Sequence, residues 1–198
     1  MLSKLKGDWT QKSVLGSKDY KCGYCDKLVA SKEGYFIISG TDQHGHSIPS
    51  YIYICPGCNM PSFFHYNGHQ MPSVKEGVTV SNIPSPDINS IYEEARNCMS
   101  VEAYTAAVLC CRKLLMHIAV EKGASPGKSF LDYIEYLSAK GYIPPDGKSW
   151  VDHIRTKGND ANHEIIIMNR DDATNLIIFS EMLLKFIYEF PGKITKSS

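Results

Sequence analysis

Two short cysteine motifs constrain this chain more than any other feature. Cys22-Gly23-Tyr24-Cys25 and Cys55-Pro56-Gly57-Cys58 are separated by 29 residues. Two intervening residues let both thiolates of a pair turn toward one ion, and a glycine in each pair favours a tight knuckle turn. The intervening stretch carries strand signals at Gly34–Gly40 and Ser50–Ile54, rich in aromatic and β-branched residues. Strands between two knuckles bring the pairs together. The expectation is a small β-rich zinc ribbon in which Cys22, Cys25, Cys55 and Cys58 bind one Zn2+. Four thiolates complete a tetrahedron and leave no position for a reactive water, so the expected role of the ion is structural.

Other chemistries fit these cysteines less well. Cys-Pro-Gly-Cys alone would suit a redox dithiol, but a second matching pair favours metal. A zinc deaminase needs H-x-E before P-C-x-x-C, whereas His44-Gly45-His46 has no such Glu and Pro56 follows Cys55. His65 and His69 are read as surface residues, since four thiolates already fill the site. The cysteines number seven, and Met1–Lys6 has no apolar export core, so a reducing, cytoplasmic setting without disulfides is expected. Cys98, Cys110 and Cys111 lie in helical sequence as small buried residues.

The charge balance narrows the partners. Over 198 residues, 21 basic side chains offset 21 acidic ones, which excludes nucleic-acid binding through bulk charge and leaves only a local patch for it. A hydrophobic fraction of 43% is enough for a core, and apolar runs such as Ile165–Met168 and Met182–Leu184 are far too short to span a bilayer, so no membrane partner is expected. Tyr24, Tyr35, Tyr51, Tyr53, Phe63, Phe64 and Tyr66 offer either ribbon core or a base-stacking surface, with core preferred in so small a unit.

Organisation changes near residue 86. Residues 1–70 form the expected zinc-ribbon domain, with a further strand at Ser62–Tyr66, and residues 71–86, with Pro72, Pro84 and Pro86, a linker or arm. Residues 87–192 form a helical bundle, followed by a tail at 193–198. Asp87 is expected to cap a helix to about Met99, and Ser100 the next, to Gly123. Ser129–Lys140 makes a third, Lys148–Lys157 a short fourth, and Asn169 or Asp171 opens a fifth ending at Phe190. The fold class is thus mainly α, a helical bundle preceded by a small β-rich four-cysteine ribbon.

Within the helices, Arg112 falls off the solvent stripe made by Glu102, Lys113, His117 and Glu121. It suits either a partly buried ion pair or a phosphate-binding role. The densest polar stretch runs from Arg155 to Glu164. Gly158 and Asn159 or Asp160 are explained by helix termination and capping, whereas Arg155 and His163 are not. The last helix carries Ile178, Phe179, Met182 and Phe186 beyond the core face of Leu176, Leu183, Leu184 and Ile187, a surplus that argues for a homodimer.

The cysteine knuckles, the proline arm, Ile91–Ala95, Ala106–Arg112 and the Arg155-x-x-Gly158-Asn159-x-x-x-His163-Glu164 run together resemble the bacterial family called domain of unknown function 4145. That family is similar to the HEPN superfamily of all-helical domains found in defence systems, toxins and restriction-enzyme subunits. The resemblance implies a metal-independent ribonuclease, with His163 as base, Arg155 or Arg112 as phosphate clamp and Asn159 orienting one of them across a homodimer. It also implies RNA and a defence-system protein as partners. The other reading is a non-catalytic module that docks nucleic acid or protein and uses its zinc structurally. Fold analogy alone does not choose between them.

Overall fold

A computed structural model describes residues 5–144 and 167–194. The chain divides into two compact units, residues 1–75 and 76–198.

The first unit is an antiparallel sheet whose strands neighbour one another in chain order: β1 (Ser13–Lys21), β2 (Leu28–Thr41), β3 (Ser47–Ile54), β4 (Pro61–Phe64) and β5 (Gln70–Met71). The β2–β3 turn is set locally, because the Asp42 carboxylate accepts the backbone N–H groups of His44 and His46 at 2.8 and 2.9 Å. β2 outruns its neighbours. It pairs with β1 from Leu28 to Gly34 and with β3 from Gly34 to Thr41, while β4 meets β3 only over Tyr51–Ile54. The β2–β3 hairpin therefore extends beyond the other strands as a two-stranded arm. Phe36, Ile37 and Ile38 on this arm are 57%, 62% and 50% exposed. Successive strand residues face opposite sides, so both faces of the arm are open.

The core of this unit is Tyr20, Tyr53 and Phe64 packed with Cys22, Cys55 and Cys58. Tyr51 and Tyr24 lean against it, so the best-packed of the candidate stacking aromatics are core. Gly34 sits where β2 changes partner, and a Cβ there would fall 1.8 Å from the Ile52 carbonyl oxygen. Gly34→Ala is expected to force the strands apart and cost about 1–3 kcal/mol or more, read as a lower urea midpoint.

The mainly α expectation is corrected by this sheet: the chain is α+β. β1 was not legible because Ser-Val-Leu-Gly-Ser-Lys-Asp-Tyr-Lys mixes polar residues and a glycine, and its ladder shifts register between Val14 and Lys18. Pairing with β2, rather than its own composition, makes it a strand.

The second unit contains α1 (Pro86–Ser100), α2 (Tyr104–Glu121), α3 (Phe130–Ala139) and α4 (Arg170–Leu184), the last continuing through a π-helical turn at Lys185–Glu189 into α5 (Phe190–Ile194). Ser85, not Asp87, caps α1 by accepting the Ile88 N–H, with Pro86 opening the helix. Ser100 ends α1 instead of opening α2, its hydroxyl donating to the Asn97 carbonyl. The capping boxes Ser129/Asp132 and Asn169/Asp172 start α3 and α4. The short helix expected at Lys148–Lys157 lies outside the described residues.

One core binds these helices, including Ile88, Tyr92, Leu114, Leu115, Ile118, Phe179 and Leu183. Cys111 is buried in it, and Cys98 and Cys110 pack against it part-buried. Burial pushes the Cys110 and Cys111 thiols up to about 11 and about 12.

The packing of α4 also corrects the homodimer expectation. Of the four surplus apolar residues, Phe179 is 1% exposed inside the core and Met182 packs against it. Phe186 lies edge-on against Phe190 at 5.6 Å. The core of the same chain takes up two of the four residues that argued for a second copy, while Ile178 and Phe186 stay 46% and 49% exposed.

An extended segment, residues 76–82, is fastened to the helices at both ends. Arg96, fully buried on α1, donates through Nε to the Glu76 carbonyl at 3.0 Å and through Nη2 to the Gly77 carbonyl at 2.9 Å, and pairs with Glu93 at 2.9 Å. Tyr92 donates its hydroxyl proton to the Val78 carbonyl at 3.0 Å. In return, Val78 N–H donates to Glu181 and Ser81 N–H to Glu189, each at 2.9 Å. Glu181 and Glu189 would stand about 80° apart around a regular α-helix. The π turn between them winds less per residue, so both carboxylates meet the same segment.

Candidate metal centre

Cys22 and Cys25 in the β1–β2 loop and Cys55 and Cys58 in the β3–β4 loop converge, with all four sulfurs within 4.8 Å of one another. Cys22 Sγ lies 3.7 Å from Cys58 Sγ, and Cys25 Sγ 3.8 Å from Cys55 Sγ. These separations are far longer than the ~2.05 Å of a disulfide. A tetrahedron with metal–sulfur bonds of ~2.3 Å has edges of about 3.8 Å, which matches them. The four residues can hold a metal ion, and among the described residues they are the one cluster of this kind.

Both knuckles are built alike. Cys22 N–H donates to the Lys27 carbonyl and Asp26 N–H to the Cys22 carbonyl; Cys55 N–H donates to the Met60 carbonyl and Asn59 N–H to the Cys55 carbonyl. The left-handed residue of each loop is Asp26 (φ 63°) or Asn59 (φ 62°), directly after the second cysteine. The role expected of the two glycines is therefore corrected. Asp and Asn, the non-glycine residues most tolerant of this conformation, supply the tight turn. Gly23 is needed for a different reason: a Cβ there would lie 2.5 Å from the backbone oxygens of Pro72 and Ser73.

Cys22 and Cys55 are 0% exposed and Cys58 5%. Burial raises the Cys22 and Cys58 thiols, more than neighbouring backbone N–H groups lower them. At Cys55 burial also acts upward, but N–H groups of Cys58 and Gly57 outweigh it and bring the thiol below its ordinary value. A thiolate aimed at by backbone donors is a prepared ligand. The side chains packed with the cysteines are aromatic: Tyr20 sits edge-on to Phe64 at 5.0 Å, and Tyr53 edge-on to Phe64 at 5.7 Å.

The other candidate residues are placed only in part. Arg112 is half-buried on α2 with its guanidinium over the Phe130 ring at 4.4 Å, a cation–π contact. Arg155, Asn159 and His163 lie outside the described residues. Arg96 was missed, although a signal was present: it falls among Ile88, Tyr92, Ala95 and Met99 on the apolar stripe of α1, where a charge needs a built partner.

A four-cysteine centre in the sheet unit, together with a separate helical unit in the same chain, defines a two-unit α+β protein with a candidate metal site. A family model described as "Domain of unknown function (DUF4145)" matches residues 93–197. That is more than half of the chain, which belongs to this family. No curated protein and no solved structure matches the chain. The RNA and defence-system partners implied by the resemblance are corrected accordingly. No relative carries them to this chain, and Tyr53 and Phe64, two of the candidate stacking residues, are buried rather than presented to bases. No helix among the described residues is long and apolar enough to cross a membrane.

Proposed function

We propose that this protein is a non-catalytic interaction module in which a structural zinc ion holds the sheet unit and the β2–β3 hairpin docks a partner protein. The observation that carries this reading is the set of four converging sulfurs in the β1–β2 and β3–β4 loops of a sheet whose longest hairpin is left open. Soft thiolates at tetrahedral spacing suit zinc, and a site with four protein ligands, three of them buried and Cys25 part-exposed, has no coordination position for a substrate or a reactive water. The hairpin supplies what a docking surface needs: Phe36, Ile37 and Ile38 exposed together on strands whose outer backbone edges lack a neighbour within the sheet. Zero net charge fits a protein partner better than a polyanion. The helical unit is read as HEPN-like on its motifs, without a requirement for nuclease chemistry.

The test is a nuclease assay beside a binding assay. Purified full-length protein is expected to leave a mixed RNA pool intact, in EDTA on short timescales as well as in magnesium. A Phe36→Ser/Ile38→Ser variant should keep its metal and its fold while losing a partner recovered with the wild type. RNA cleavage that disappears in His163→Ala would replace this reading with a HEPN-like ribonuclease.

A further inference from the structure

The segment that precedes β1 leaves the sheet and reaches the second knuckle. Gln11, at φ 56°, turns the chain away from the β1–β2 ladder, and Gly7, at φ 104°, bends it again. One end is tied to β2: the Tyr35 hydroxyl donates to the Thr10 carbonyl, Lys12 pairs with Glu33, and the Trp9 ring meets the Tyr35 ring edge-on at 6.2 Å. The other end is tied to Cys58 and Asn59. Leu5 N–H donates to the Cys58 carbonyl at 3.0 Å, and the Trp9 indole N–H to the Asn59 carbonyl at 2.9 Å. In return the Asn59 side-chain amide donates to the Leu5 and Gly7 carbonyls, at 3.1 and 2.8 Å.

The first knuckle shows what Asn59 adds. Asp26 holds the same left-handed turn directly after its second cysteine and pairs with Lys21 at 2.8 Å. Aspartate therefore suffices for the turn. What it lacks is a donor: a carboxylate only accepts and would repel two carbonyls, whereas an amide supplies two N–H groups. Asn59 also closes its own knuckle, its backbone N–H on the Cys55 carbonyl at 2.8 Å. An ion held by Cys55 and Cys58 fixes that closed turn, and with it the groups that the segment bonds. We infer that residues 5–10 are a latch on the second knuckle, docked while the metal ion is held and strengthening its retention in turn, with Asn59 as the catch. Linkage requires the reciprocity: the factor by which the ion favours docking is the factor by which docking favours the ion. The latch rests on the metal-centre reading above and needs no partner protein.

The experiment compares full-length wild type with Asn59→Asp, which keeps the turn used by the first knuckle and removes the catch. Zinc uptake comes first; a wild type that takes up no zinc overturns the metal centre itself, and the latch with it. In zinc-loaded wild type the Trp9 indole N–H, identified in the NMR spectrum by its loss in Trp9→Phe, is expected to be protected from exchange, and chelation should expose it. In zinc-loaded Asn59→Asp it should exchange freely while the β2 and β3 amides stay protected. Zinc affinity, read by chelator competition, should fall ~5-fold or more, the low end for coupled sites, because the two amide bonds are open to water. A protected indole in zinc-loaded Asn59→Asp, or a zinc affinity within twofold of wild type, would overturn the inference. An indole that stays protected in wild type after chelation would do so too, since docking would then be independent of the ion. Should Asn59→Asp fail to fold with zinc, Trp9→Phe leaves the knuckle untouched and removes only the indole donor. It is expected to weaken zinc in the same sense, and an affinity within twofold of wild type there also counts against the latch.

Discussion

Stripping zinc from the purified protein is expected to unfold residues 1–75 and leave the helical unit folded. The sheet unit's buried core is six residues, three of them the cysteines Cys22, Cys55 and Cys58. Structural zinc contributes ~10–16 kcal/mol in finger peptides, far more than three aromatic rings replace. Cys22→Ser or Cys55→Ser should have the same effect, since either breaks the tetrahedron. Elemental analysis should find one zinc per chain. After chelation, hydrogen exchange should accelerate through β1 to β5 while α1, α2 and α4 stay protected. Uniform protection of the sheet without metal would refute this. The pH dependence follows from the thiols. Burial raises Cys22 and Cys58 in the metal-free protein, so both are protonated at neutral pH and zinc must displace their protons. Affinity therefore rises with pH and is lost as pH falls, with proton release on binding as the direct measurement.

The second large effect is expected at Arg96. Arg96→Ala should cost about 3–5 kcal/mol, the range for removing one member of a buried charged pair. It leaves Glu93 and the Glu76 and Gly77 carbonyls without their donor, and releases the extended segment that Tyr92, Glu181 and Glu189 hold from the other side. Arg96→Lys should recover little, because one ammonium does not reproduce a guanidinium that reaches two carbonyls and a carboxylate together. Chemical denaturation of the helical unit checks both variants, and a change under 1 kcal/mol for Arg96→Ala would show the clamp to be incidental. The family match begins at Glu93, so the segment held by this clamp lies before it.

What the sequence determined by itself is what short spacing encodes. Two C-x-x-C pairs identified the four residues that converge, because a knuckle is a local structure and two identical knuckles have one economical use. Ser129 and Asn169 were legible as helix starts for the same reason: a cap and its third residue lie within one turn. Tertiary structure decided the rest. β1 is a strand because β2 offers it a ladder, and the π turn places Glu181 and Glu189 for a segment more than 100 residues earlier in the chain. The knuckles turn at Asp26 and Asn59, and Gly23 is reserved for a backbone that returns from Pro72 and Ser73. Local propensity carries no information about a partner so distant in the chain. Which buried polar group meets which is fixed only when burial removes water as the alternative.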